Sequence, residues 1–180
     1  MRESFTLPWR MSYIPGTTQT FTSRSIDSIL LPARVSNSLL CFALTPQISR
    51  VFTNTTASPQ AAILTTHALL TIESSVLQDL TDPNTGLPFN GKIELRFITN
   101  SESRRIPAGD IDSRSTQVTR SCQGALVSKR SLMTNYGLTQ SQANTFFNRA
   151  ITVTIGTGGT ARSAEQMLYS VGLRLYGDRR

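Results

Sequence analysis

Between Gln166 and Tyr176 the odd positions Met167, Tyr169, Val171, Leu173 and Leu175 are all apolar, while Gln166, Ser170, Gly172 and Arg174 stand at even ones. A period of two lays one side of an extended segment on a core and turns the other to water. The pattern recurs elsewhere. Ile93, Leu95 and Phe97 alternate with Lys92, Glu94 and Arg96, and Ile151, Val153 and Ile155 with Thr152 and Thr154. Leu64, Thr66, Ala68, Leu70 and Ile72 share a face opposite Thr65, His67 and Thr71. Less regular strands are expected over 17–24, 27–31, 38–44, 48–53 and 115–122. The 38–44 run is continuously apolar, as in a strand covered on both faces.

Turn signals separate these segments: Pro15-Gly16, Pro32, Pro46, Pro59, Pro83-Asn84-Thr85-Gly86, Asn90-Gly91, Pro107-Ala108-Gly109, Gly124, Tyr136-Gly137, Gly156 to Gly159, and Gly177. Strand-length pieces between regular turns predict an all-β protein, an antiparallel β-sandwich or barrel of eight to ten strands. No internal repeat or linker divides the chain, so residues 1–180 are expected to form one domain. One helix is well signalled. Thr139 and Gln142 fit a capping box, and Ala143, Phe146, Phe147 and Ala150 follow at helical spacing. A second short helix or turn is expected at 74–80. These are one or two short inserted helices, not the alternating helices of a parallel sheet.

Ser and Thr supply 45 of the 180 residues, and only 16% are charged. Such a chain is too apolar for disorder, and no 18-residue apolar run would span a membrane. The formal charge of +7 belongs entirely to residues 91–180, and sixteen of the eighteen basic residues are Arg. A guanidinium is a planar fork that suits phosphate, so nucleic acid is the expected partner. The candidate contacts are Arg104 and Arg105 in a polar run, Lys129 and Arg130 in a turn after Gly124, and Arg179 and Arg180 at the C-terminus. Arg96, Arg114, Arg120 and Arg174 add single cations, and strand positions Arg96, Arg120 and Arg174 are expected to project from one sheet face. Tyr136, Tyr169, Tyr176, Phe146 and Phe147 are nearby stacking candidates, the two Phe residues fitting a core better.

Catalytic chemistry finds little support. His67 is the sole histidine, without a serine elbow or Cys–His setting, and is expected to be structural or solvent-facing. Asp110 and Asp112 with Glu102 would suit a hard cation but lack the full calcium-loop pattern, so a solvated loop is expected and no metal or cofactor. The run Gly156 to Thr160 lacks the phosphate-loop lysine and spacing and is expected to be a flexible hairpin connection. Cys41 sits in an apolar run where a thiol packs as a small hydrophobe, and its pairing with Cys122 is left open. The first residues lack the apolar core of a signal peptide, giving a reduced intracellular setting as the default. The chain is not expected to be an enzyme.

Small size, abundant Ser and Thr, scarce charge, strand-dominated patterning and net basicity together resemble the coat (capsid) proteins of small icosahedral viruses, notably RNA viruses and their satellites. The resemblance implies a jelly-roll-like sandwich, self-association into a large homo-oligomeric shell, RNA as the more expected nucleic acid, and assembly of the virion in the host cytoplasm. It also implies an extended N-terminal arm over residues 1–16. That stretch holds only Arg2 and Arg10 as cations, which shifts the expected nucleic-acid contacts to the folded body and the C-terminus. A single-stranded nucleic-acid-binding β-barrel, and a spike, cement or connector subunit, are the competing readings.

Overall fold

Each alternating segment becomes one strand of a two-sheet stack in the computed structural model, which describes residues 2–10, 14, 16–118 and 126–178. The order is β1 (Arg2–Arg10), β2 (Thr18–Leu31), β3 (Leu39–Thr53), β4 (Gln60–Glu73), a 3-10 turn (Ser75–Leu77), β5 (Lys92–Ile106), β6 (Ile111–Gln117), β7 (Leu126–Ser128), α1 (Lys129–Tyr136), α2 (Gln140–Asn148), β8 (Ile151–Arg162) and β9 (Ala164–Gly177). One sheet runs β1-β9-β3-β6, with β7 paired to the start of β3; the other runs β2-β8-β4-β5. All pairings are antiparallel. Setting the three-residue β7 aside, the strands in chain order read 1-8-3-6 and 2-7-4-5. Successive strands change sheets except across the β4–β5 hairpin. That order is a jelly roll, two Greek keys folded into a sandwich.

The core lies between the sheets. Leu40, Phe42, Leu44, Ile48 and Phe52 of β3 and Met167, Tyr169, Val171 and Leu173 of β9 face Leu64, Leu70, Ile72, Val153 and Ile155, all buried. At one end α1 and α2 close the sandwich through Leu132, Leu138, Phe146 and Phe147, which join the same core. Thr139 caps α2 in a capping box with Gln142, and its stripe ends at Phe147, because the helix stops at Asn148 and leaves Ala150 exposed. Helix α1 was not foreseen in the sequence. Its box uses Ser128 and Ser131 in place of the usual Glu or Gln, and Gly137 ends it in a left-handed conformation.

Several expectations need correction. Residues 2–10 of the expected extended arm pair along their whole length with β9 as an edge strand. Segments 17–24 and 27–31 are one strand, interrupted by a bulge that sets Arg24 to Ile26 against Gly156. Segments 38–44 and 48–53 are likewise one strand. Pro46 stands one residue before the β6 ladder, which begins at Gln47, and its carbonyl accepts the Val118 amide at 3.0 Å, so its missing N–H falls at the ladder's end. Strand β6 runs 111–117, and residues 119–122 of the expected 115–122 segment lie outside the described residues.

The glycine run is the largest correction. Gly156 to Gly159 is not a hairpin but the middle of β8, buried between β2 and β4. A Cβ at Gly156 would sit 2.5 Å from the Ser23 carbonyl oxygen, and one at Gly159 would overlap the Thr65 carbonyl and meet the Phe21 ring. These glycines are there because neighbouring backbone and the Phe21 ring occupy the space. The turn to β9 falls instead on Ser163 alone, with φ of 58°, whose carbonyl accepts the Thr53 amide at 3.2 Å. Cys41, buried beside β7, is disulfide-bonded rather than packed as a thiol; Cys122 lies outside the described residues.

Candidate nucleic-acid interface

A bulge decides where the acidic residues of β5 point. Ladder partners shift from Ala68–Phe97 to His67–Thr99, so one extra residue reverses the facing of everything beyond it. Glu102, opposite Leu64, thereby turns into the sandwich, and so does Ile106. There Glu102 meets Arg50 of β3, a strand of the other sheet. The Arg50 side chain is only 3% exposed and also donates to Thr116 Oγ1 at 2.7 Å. From Glu102 the charges continue outward: Arg104 Nε lies 2.6 Å from its Oε1, Asp112 is 4.0 Å from Arg104, and Arg114 Nε is 2.8 Å from Asp112. This ladder of five laces edge strand β5 to edge strand β6 across the side of the sandwich.

Two of the sequence-predicted phosphate contacts are therefore already paired. Arg104 and Arg114 hold carboxylates of their own chain, and the polar run that carries Arg104 is part of β5. The same contacts correct the acidic reading. Glu102 and Asp112 are gripped by guanidinium groups instead of lying in a solvated loop, while Asp110 accepts the Ile111 amide at 2.9 Å. Among the described residues no three His, Cys, Asp or Glu side chains converge as metal ligands.

On the outer face of the β2-β8-β4-β5 sheet, a groove of roughly 300 Å³ runs between Thr20, Thr22 and Arg24 on one side and Thr65, His67 and Arg96 on the other. Its floor is low because Gly158 has no side chain; a Cβ there would lie 2.9 Å from His67 Nε2. Burial, then the facing Arg96, holds the imidazole below its ordinary pKa, with Glu94 opposing. Arg24 is ion-paired to Glu94 across the same face. His67 thus faces outward beside a cation, in a groove lined largely by Thr hydroxyls.

Arg96 and Arg174 do not share a face. Arg96 lies on the outside of the sheet containing β5, and Arg174 on the outside of the opposite sheet, because β5 and β9 belong to different layers. Arg120, Arg179 and Arg180 lie outside the described residues. Arg105 is exposed near the β5–β6 turn. Lys129 and Arg130 occupy the first turn of α1 rather than a loop. Two further cations join them at the helical end. Arg34 donates its amide to the Phe147 carbonyl at 3.2 Å, and Arg149 caps α2. Nothing local in the sequence marks Arg34 and Arg149 as neighbours, since 115 positions separate them. The aromatic candidates mostly leave the surface: Tyr169, Phe146 and Phe147 are buried, Tyr136 packs on Phe89, and Tyr176 alone of the five is exposed.

No protein-family model and no curated protein matches the sequence. Two solved structures of viral particles are similar to it at a low level. "Structure of infectious bursal disease virus Gx strain" aligns with 98% of this chain and 32% of its own, at 9% identity and a TM-score of 0.31. The T13 particle of the same virus (IBDV) aligns with 98% of this chain and 40% of its own, at 12% identity and a TM-score of 0.28. The chain thus spans about a third to two fifths of the length of the structures it matches. At that distance the fold assignment rests on strand order, not on the likeness.

Proposed function

We propose that this chain is a virion coat subunit that assembles with copies of itself into a closed shell and holds nucleic acid, RNA before DNA, through arginines free of internal partners. The observation that carries the reading is the complete jelly-roll strand order around an interior filled by side chains. Jelly rolls serve as virus coats, lectins and cupins, so topology alone names no function. Here Tyr169, Phe42, Phe52 and the Arg50–Glu102 pair occupy the space between the sheets, which moves the working surfaces to the outside. Those surfaces are rich in Thr and Ser, carry a net positive charge, and suit wet subunit contacts and a polyanion. Burial of Tyr169, Phe146 and Phe147 weighs against a single-strand-binding module, which needs exposed rings for bases to stack on.

Purified chain viewed by negative-stain microscopy, alongside its 260/280 nm absorbance ratio, tests this. Closed shells with a nucleic-acid absorbance signature are expected. A stable monomer at high concentration, free of nucleic acid, would overturn the coat reading, and rings without nucleic acid would favour a connector or spike subunit.

A further inference from the structure

Four cations converge at the helical end of the sandwich although they come from three places in the chain. The β2–β3 loop ties them together. Its Arg34 amide bonds to Phe147 at the end of α2, and its Ser38 carbonyl accepts the Lys129 amide at 3.0 Å at the start of α1. Arg34 and Ser38 are four residues apart, at most about 14 Å of chain. Arg34, Lys129, Arg130 and Arg149 are thus gathered around one short loop. Residues 32–38 and 128–150 contain no acidic residue, and none of the four cations has an ion-pair partner among the described residues. Asp178, the carboxylate docked on this loop, is turned onto the amides of Asn37, Ser38 and Leu39 at 2.9–3.1 Å. Lys129 and Arg130 also sit at the positive end of the α1 dipole, where cations repel and an anion is welcome.

We infer that the nucleic-acid backbone docks on this helical end, on Arg34, Lys129, Arg130 and Arg149, rather than on the sheet faces that carry Arg96 and Arg174. This rests on the nucleic-acid-holding coat reading and narrows it to one face. The contact is to phosphate and so independent of sequence. Four cations would neutralise about four phosphates, a dependence of log affinity on log salt of about −3 from this face for a single strand.

The test measures anisotropy of a fluorescein-labelled 20-nucleotide oligouridylate with the full chain across a salt series. It compares wild type, the quadruple variant R34Q/K129Q/R130Q/R149Q, and a sheet-face control R96Q/R105Q/R174Q. The quadruple variant is expected to flatten the salt slope by about 3 and to weaken binding more than tenfold at low salt, while the control stays near wild type. Thermal melts should leave the Tm of both variants close to wild type, since the substituted groups have no ion-pair partner among the described residues. A control that flattens the slope as much per charge as the quadruple variant would overturn the docking face but leave the coat reading standing. Loss of shell assembly in the quadruple variant with an unchanged slope would assign the face to subunit contact instead. Absence of oligonucleotide binding by wild type would remove the nucleic-acid reading and this inference with it.

Discussion

A methyl group added at Gly159 would overlap the Thr65 carbonyl and lie 2.8 Å from the Phe21 ring, in a strand flanked on both sides by others. Neither obstacle is the free end of a flexible side chain, so relief requires the sheet to shift. Gly159→Ala is therefore expected to destabilise by at least about 2 kcal/mol, as overpacked core sites do, lowering Tm by roughly 4–8 °C for a chain of this size. Gly109→Asn, at a turn with open space and a φ of 71° that Asn tolerates, should change stability by less than about 1 kcal/mol. Differential scanning calorimetry of the two variants separates a packing requirement from a turn requirement; equal losses would remove the packing account. The same residues explain why the sequence pointed to a hairpin. Glycine is common both in turns and where backbones crowd, and only the neighbours distinguish the two.

Helix α2 was legible because its signals are local: a capping hydroxyl, a Gln three residues on, and a stripe at helical spacing. The link between the β2–β3 loop and the end of β9 was not, because its parts lie about 140 positions apart. Asp178 takes hydrogen bonds from the Ser36 and Ser38 hydroxyls and from the loop amides. These donors, the Ser36 hydroxyl foremost, hold the carboxyl well below the usual carboxylate range. A carboxylate with a depressed folded pKa stabilises the fold above its ordinary pKa of about 4, and that contribution fades as the pH falls below it. Wild type is accordingly expected to exceed Asp178→Asn in urea stability at pH 6, by a margin that holds down to about pH 4 and then narrows progressively toward pH 2. A constant margin across that range would show that the carboxylate charge contributes nothing to the clasp.

Across the whole molecule, the seam between the sheets depends on a pair no local pattern announces. Arg50 and Glu102 meet across the sandwich because a bulge reverses the facing of β5 halfway along. Removing one partner strands a buried charge, so Arg50→Met or Glu102→Leu alone should cost about 3–5 kcal/mol. The double replacement R50M/E102L should recover much of that loss, since a well-packed apolar pair can match a buried ion pair. Additive losses in a double-mutant cycle by urea denaturation would show that the two residues are not coupled. What the sequence determined by itself is the class of fold and most strand faces, since alternation, turn residues and helix caps act over a few residues. The N-terminal edge strand, the facing of residues beyond a bulge, the spent charges of Arg104 and Arg114, and the gathering of Arg34 with Arg149 were decided by tertiary structure. Each depends on which strands become neighbours, and in a jelly roll those neighbours are distant in the chain.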